Sequence, residues 1–218
     1  MSIASLSVSQ EKKLFNTALI LAVITIAYNL VEGIIATWLG YEDETLALFG
    51  FGVDSFIEMI SGIGILHMIL RIRNNPNVTR DGFERTALRI TGTAFYLLTA
   101  GLVITSIINI VTGHAPESTF WGVIISGVSI LVMWALIAGK IRVGKALKSE
   151  PILADANCTK VCMYMSVILL ASSGIYELSG FAYADAIGTL GLAWFSFKEG
   201  KECFEKAHSN KLCGCEHN

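Results

Sequence analysis

Six long apolar stretches, separated by shorter polar segments, run along the chain. At about 1.5 Å of rise per helical residue, stretches of this length can cross a hydrocarbon core of about 30 Å. They are Leu14–Leu39, Leu46–Leu70, Ile90–Val111, Phe120–Ala138, Ile152–Ser173 and Phe181–Phe197. Because a backbone in lipid must satisfy its own hydrogen bonds, such stretches indicate helices. The pattern predicts an all-α polytopic membrane protein with six transmembrane helices.

The composition agrees with this fold class. The chain has 218 residues, of which 53% are hydrophobic and 16% charged, and its mean hydropathy is +0.60. An average soluble domain has about 25% charged residues. We therefore expect an integral multi-pass protein of the cell (inner) membrane, with membrane lipid and no nucleic acid among its partners.

Basic residues are unevenly distributed among the loops. All but one of the 16 basic residues precede the first span, lie in the second or fourth connection, or follow the sixth span. The exception, Lys160, lies inside the fifth span, and the remaining loops carry acids but no Lys or Arg. Because loops rich in Lys and Arg stay in the cytoplasm, both termini are predicted to be cytoplasmic.

Two acids and two thiols stand inside the spans at helical spacing. Asp54 and Glu58 in the second span, and Cys158 and Cys162 in the fifth, are each four residues apart, so each pair shares one helix face. An acid in the membrane is costly and is by default a functional-site hypothesis. Together the pairs supply enough donors for a tetrahedral metal. Alternatively, the cysteines are small buried apolar side chains.

The predicted orientation makes the second and fifth spans antiparallel. If these helices touch, Asp54 lies near Cys162 and Glu58 near Cys158. Four anionic donors around one dication would leave excess negative charge in a medium of low dielectric constant. One or more donors should therefore stay protonated or pair with a cation.

Other polar residues of the spans have two interpretations each. Lys160 either extends to the cytoplasmic interface or forms an ion pair with Glu32 or Asp185. Asp155 either guides ions toward the cysteines or caps its helix. Asn29, like Glu32 and Asp185, is expected to face the interior of the bundle, since lipid exposure is costly.

The chain ends in a polar segment that carries further metal-binding side chains. Residues 1–207 are predicted to form the transmembrane domain and residues 208–218 a short cytoplasmic tail. From the sixth span onward the possible donors are Cys203, His208, Cys213, Cys215 and His217. Cys213, Cys215 and His217 are candidate accessory ligands, and an ordinary disordered end is the alternative.

Two segments carry a family resemblance. Thr45-Leu46-Ala47-Leu48 leads to Asp54 and Glu58, and Leu153-Ala154-Asp155 leads to the cysteines and then Ser166. Both resemble motifs of the cation diffusion facilitator family, and the match extends over nearly all six spans. The resemblance implies a six-helix exporter of divalent metals coupled to proton entry, with the site between the second and fifth helices. It also implies a homodimer.

The chain departs from that family at three places. Glu58 stands where the family has Asp, Cys158 and Cys162 stand where it has His and Asp, and a cytoplasmic metal-binding domain is missing. Thiolates favour soft or borderline ions, so Zn²⁺ or Cd²⁺ is expected over Mg²⁺ or Ca²⁺, which prefer oxygen.

The leading hypothesis is a secondary active transporter that exports such a metal from the cytosol in exchange for protons. It would be no enzyme and would hold no prosthetic group. An intramembrane thiol oxidoreductase using Cys158 and Cys162 is a second hypothesis, although thiols at i and i+4 do not easily meet disulfide geometry. A metal sensor that does not transport is a third.

Overall fold

The computed structural model describes residues 8–74, 82–113, 115–181 and 183–208. Within these ranges every regular element is an α-helix. The helices are α1 (Val8–Glu42), α2 (Leu46–Asn74), α3 (Gly82–Thr112), α4 (Phe120–Leu147), α5 (Glu150–Ser179) and α6 (Ala184–His208). The predicted all-α fold of six helices is confirmed.

Five of the six helices, α1 to α5, are long and apolar enough to cross a membrane by length and composition. This confirms an integral multi-pass membrane protein. Among the described residues α6 does not meet the same standard, because charged residues recur along its second half. Its first half nevertheless has Trp194 and Ile187 exposed, as a lipid-facing helix would.

The helices extend beyond the predicted spans, and the longest extensions lie at one end of the bundle. α3 begins at Gly82, before the predicted Ile90; α4 continues to Leu147 and α6 to His208. Hydropathy marks only the part of a helix that lies in lipid, whereas the backbone hydrogen bonds continue into water. Several polar residues that the sequence assigned to loops or to the tail therefore lie on helices.

The helices form a closed ring in the order α1, α2, α3, α6, α5, α4 and back to α1. α2 also packs against α5 and α6 across the middle of the ring, so it contacts four other helices. The α2–α5 contact brings together the two helices that carry the predicted donors. We call the end with the 43–45, 113–119 and 180–183 connections the acidic end, and the opposite end the basic end.

Glycine sets the distance between α1 and α2. A Cβ atom added at Gly52 would collide with the backbone nitrogen of Thr37 and with Ala36. Only a residue without a side chain permits this approach, as is common between helices in membranes. Gly52 therefore holds the first half of α2, with Asp54 two residues later, close to α1.

An apolar core fills the acidic half of the ring. Leu48 and Phe51 of α2, Leu102 of α3, Leu169 of α5 and Leu192 of α6 are all buried in one cluster. Large apolar side chains also cover the outside of the bundle, including Trp38, Leu97, Leu131 and Trp134. Such an exterior suits lipid and explains why the buried polar residues stand out.

Carboxylates from neighbouring helices cap two helices at the acidic end. Asp185 accepts hydrogen bonds from the backbone N–H groups of Leu46 (3.0 Å) and Ala47 (3.1 Å), at the start of α2. Glu177 accepts one from the backbone N–H of Thr119 (2.7 Å), just before α4. These bonds satisfy amides that have no partner within their own helix.

Candidate metal-binding site

Asp54 lies in the interior of the ring on α2. The residue is 2% exposed, and its buried Oδ1 has no hydrogen-bond partner among the described residues. The acidic groups of Glu58, Glu199 and Glu32 act on it electrostatically. A buried carboxylate surrounded by other acids is costly unless a proton or a cation neutralises it. Asp54 is thus suited to bind a cation.

Glu58, one turn further along α2, connects three helices. Its Oε2 accepts a hydrogen bond from Asn29 Nδ2 of α1 at 3.3 Å, and its Oε1 accepts one from Cys162 Sγ of α5. Asn29 is buried and its Oδ1 has no hydrogen-bond partner in the described part of the chain. The Glu58–Cys162 contact is the direct meeting of a predicted α2 donor with a predicted α5 donor.

Cys158 faces a different neighbour. Lys206 Nζ of α6 donates a hydrogen bond to Cys158 Sγ at 3.4 Å. The expected pairing of Glu58 with Cys158 is not formed, since Glu58 contacts Cys162 instead. The span lengths placed Glu58 at the height of Cys158. In the structure Glu58 lies at the height of Cys162, so α5 is shifted by about one helical turn relative to α2.

A cavity of about 80 Å³ lies beside these residues and has room for more than one water molecule. Three of the predicted ligands line it, namely Glu58, Cys158 and Cys162. Its other walls come from the basic-end halves of α2, α3, α5 and α6 together with the middle of α1. In residues 8–74, 82–113, 115–181 and 183–208, no group of three or more His, Cys, Asp and Glu side chains is close enough to hold a metal. Glu58, Cys158 and Cys162 line one cavity, and they would have to move closer to one another to bind a single ion.

A buried ion pair links α4 and α5 beside the cavity. Lys140 Nζ lies 2.9 Å from Asp155 Oδ1 and 2.9 Å from Thr159 Oγ1, and Lys140 is 1% exposed. Asp155 is in the second turn of α5 rather than at its N-terminus, where Ser149 is the N-cap residue. The capping interpretation of Asp155 is therefore wrong. Its carboxylate lines the cavity and is already paired with a cation.

Lys160 is not the cation of this region. Its Nζ donates a hydrogen bond to Asn157 Oδ1 at 3.0 Å, one turn nearer the basic end of α5. Glu32 accepts hydrogen bonds from Tyr28 Oη and Ser55 Oγ, while Asp185 caps α2. The proposed ion pair of Lys160 with Glu32 or Asp185 is not seen in the described ranges, and the alternative of extension toward the basic end fits.

Two functional candidates, Lys140 and Glu199, escaped sequence reasoning, and Cys203 was grouped only with the C-terminal donors. Each lies in a helical segment beyond the apolar stretch that hydropathy detects. For Lys140 a signal existed, because Met133, Leu136 and Ile137 are buried and Lys140 continues their spacing. Glu199 and Cys203 are four residues apart, the spacing that identified the other two pairs.

Part of the predicted tail cannot be placed in this site. Cys213, Cys215 and His217 lie outside the described residues. His208, the last described residue, is exposed, and its Nδ1 contacts Phe204 O at 2.7 Å. The accessory role of the three tail residues stays a prediction.

The cavity region combines oxygen and sulfur donors of the kinds that bind metal cations. Carboxylate oxygens from α2 stand next to thiol sulfur from α5, and an amide from α1 orients the Glu58 carboxylate. Thiolate sulfur favours Zn²⁺ and softer ions, and carboxylates contribute charge. Metal must replace protons on such donors, so binding is sensitive to pH.

Comparison with known proteins gives a family match. The family model described as the cation efflux transmembrane domain matches residues 18–209, which is nearly the whole chain and includes α1 to α6 except the first turns of α1. No curated protein matches the chain.

Proposed function

The chain belongs to the cation efflux transmembrane domain family and is a metal cation efflux transporter, and from that premise we propose its cargo and its coupling. The cargo is a soft or borderline divalent metal, Zn²⁺ or Cd²⁺, exported from the cytosol in exchange for protons. Its ligands are Asp54 and Glu58 of α2 with Cys158 and Cys162 of α5. The metal is the substrate of transport.

The observation that carries this proposal is the contact between Glu58 and Cys162 across α2 and α5. It joins a carboxylate and a thiol from two helices at the wall of a cavity, one turn from the unpartnered Oδ1 of Asp54. A buried unpartnered polar atom in a native protein calls for an explanation, and a cation supplies one.

The donor set supports Zn²⁺ or Cd²⁺ over harder ions. Mg²⁺ and Ca²⁺ are bound almost entirely by oxygen, whereas thiolate ligands select Zn²⁺ and softer metals. Cys158 and Cys162 are free thiols, and neither could contribute to a site built for Mg²⁺.

The same contact suggests how protons are exchanged for metal. Cys162 donates a hydrogen bond from its thiol to Glu58. A metal that binds both groups takes the place of that proton, which must leave, and a returning proton weakens the metal–ligand bonds. Proton and metal thus compete for one pair of side chains, which is the requirement for exchange.

The position of the cavity supports loading from the basic end. Its walls are drawn from the basic-end halves of four helices, while the acidic end is closed by the apolar core and the caps on α2 and α4. With the basic end in the cytoplasm, as the distribution of Lys and Arg predicts, metal would enter from the cytosol. Release then needs a rearrangement that exposes the donors at the acidic end.

Transport by reconstituted vesicles tests the proposal. We expect uptake of Cd²⁺ and Zn²⁺ with proton counterflow, reported by a metal indicator and a pH-sensitive dye, and no competition from Mg²⁺. The variant Cys158→His with Cys162→Asp exchanges softer donors for harder ones, so the preference should move from Cd²⁺ toward Zn²⁺. A Cd²⁺/Zn²⁺ ratio unchanged by this exchange would show that the two cysteines do not bind the metal.

Membrane lipid around the exposed apolar faces and a homodimeric assembly complete the proposal. Reporter fusions test the orientation: a reporter after Asn218 should be cytoplasmic, and a tag at Asp43 should be external. Both on the same side would contradict loading from the cytosol.

A further inference from the structure

One face of α6 at the basic end carries groups that the proposed transport site does not use. Glu199, Cys203 and Lys206 follow one another at i, i+4 and i+7, so they share a helix face. All three line the same cavity as Glu58 and Cys162. This face of α6 therefore borders the cavity on the side from which an ion would enter from the basic end.

The Glu199 carboxylate is left without a complete set of partners. The residue is 8% exposed, and its buried Oε1 has no hydrogen-bond partner among the described residues. Cys203, one turn away, is a free thiol that is 6% exposed. A carboxylate and a thiol, both buried at a cavity wall, repeat the combination of Glu58 and Cys162.

Cys158 completes this group from the opposite wall. Its sulfur accepts the hydrogen bond from Lys206 Nζ at 3.4 Å, and Lys206 is held by Glu202 at 2.7 Å. The positive charge of Lys206 acts on Cys158, Glu199 and Cys203 alike. An ammonium group thus lies among three possible metal donors.

We propose that Cys158, Glu199 and Cys203 form a second binding site for a soft divalent metal at the basic end. Lys206 occupies this α5–α6 site when no metal is bound, and an arriving ion displaces its ammonium toward Glu202. Cys158 belongs to both sites, and with Cys162 one turn further along α5 it can pass the ion to Glu58 and Asp54. The inference rests on the proposed function for the direction of this transfer.

The ammonium of Lys206 lies where it separates Cys158 from the α6 donors. A metal site would require the Cys158 sulfur to approach Glu199 and Cys203. The Lys206 ammonium, which is hydrogen-bonded to that sulfur, prevents this approach. The positive charge of Lys206 also offsets the repulsion between Glu199 and Glu202, which lie three residues apart on α6. Removing the lysine should therefore favour metal.

The test uses Cd²⁺ binding to the full chain in detergent, read from the ultraviolet charge-transfer band of Cd²⁺–thiolate bonds. Cys213→Ser and Cys215→Ser are present throughout, so that only thiols on the helices contribute. In a variant with Glu58→Gln and Cys162→Ala, which disables the transport site, the band should persist. Adding Cys203→Ala or Glu199→Gln should then weaken Cd²⁺ binding by about tenfold or more.

Lys206→Met should increase the affinity for Cd²⁺, and a misfolded protein would not show such an increase. The affinity for Cd²⁺ should rise roughly fivefold, because the partly exposed Lys206 ammonium no longer competes with the metal for Cys158. The control is Lys201→Met, because Lys201 pairs with Glu205 at the same i,i+4 spacing on the exposed side of α6. That variant should bind Cd²⁺ as the parent does.

The outcomes separate the two proposals. A band that is unchanged by Cys203→Ala, or one that disappears when only Glu58 and Cys162 are replaced, overturns the α5–α6 site. An affinity that does not rise with Lys206→Met overturns the role of the lysine. Cys203-dependent binding in a protein whose vesicles take up no metal would instead refute the proposed transport and leave the second site standing.

Discussion

Carboxylates at the two ends of the bundle have opposite environments. At the acidic end, Asp185 and Glu177 accept hydrogen bonds from backbone amides at the starts of α2 and α4. Toward the middle and the basic end, Asp54 and Glu199 each keep a buried oxygen that no described residue satisfies. Asp185 and Asp54 are equally buried, at 2% exposed, yet only Asp185 has both carboxylate oxygens bonded by the fold.

The difference distinguishes capping acids from candidate metal ligands. A capping carboxylate stabilises a helix end by accepting hydrogen bonds from backbone N–H groups. A carboxylate with an unsatisfied oxygen costs stability until a proton or metal arrives, as is common at sites that bind ions. Burial alone would not distinguish Asp185 from Asp54, whereas their partners do.

The largest expected effect is on transport. Asp54→Asn removes a carboxylate that no described partner needs, so transport of Cd²⁺ in vesicles should be abolished while the protein stays folded. The matched control is Asp185→Asn, which makes the same chemical change at a cap. Asp54→Asn protein that transports normally would show that Asp54 is no ligand.

The next effect is on stability, at the Lys140–Asp155 pair. Lys140→Met leaves a buried carboxylate without its cation and should lower the free energy of unfolding by roughly 3–5 kcal/mol. Combining it with Asp155→Asn should recover much of that loss, because no unpaired charge remains. Unfolding in mixed detergent micelles measures both, and additive losses in the double variant would contradict the ion pair.

A smaller loss is expected at the acidic end. Asp185→Asn weakens two hydrogen bonds to the start of α2 and should cost about 1–2 kcal/mol in the free energy of unfolding. Transport per folded molecule should be retained, because Asp185 does not line the cavity. Complete loss of transport by stable Asp185→Asn protein would remove the distinction between the two kinds of acid.

The smallest effect concerns pH at the α1–α2 connection. Desolvation raises the pKa of Asp43, and the charges of Glu42, Glu117 and Glu177 add to the increase. An acid with a raised pKa in the folded state binds protons more tightly there, so its contribution to stability is present at low pH. That contribution is lost as pH rises from the ordinary carboxyl value through the raised one.

Asp43→Asn should therefore flatten the fall in stability with rising pH and leave transport unchanged. Glu44→Gln removes the same charge from the same connection and is the control. Thermal unfolding at a series of pH values compares them. A steeper fall in Asp43→Asn than in the parent would contradict the sign of the shift.

Much of the fold could be predicted because it depends on local pattern. Apolar length identified the six helices, and the i,i+4 spacing placed Asp54 with Glu58 and Cys158 with Cys162 on common faces. Helix ends beyond lipid could not be found in this way, since a polar helix and a polar loop have similar hydropathy. Glu199, which lies beyond the predicted end of the sixth span, was consequently missed, although it is buried on α6.

The candidate site was predicted only in part, for a different reason. The residue types and the two helices followed from sequence, and the structure brings Glu58 and Cys162 into contact. Which of the two cysteines meets Glu58 depends on the relative height of α2 and α5. A shift of one turn replaces Cys158 by Cys162 as the partner of Glu58, and span lengths are not known to that precision.

The sequence by itself determined the helices, their apolar exteriors and the faces that carry acids and thiols, because these follow from the period of the α-helix and the cost of polar groups in lipid. Tertiary structure alone decided that Asp185 caps α2, that Lys140 neutralises Asp155, and that Lys206 reaches Cys158. Each of these contacts joins residues from different helices, and packing across the ring sets their distance. Acids that look alike in the sequence become caps, ion-pair partners or open donors according to the group that packing places opposite them.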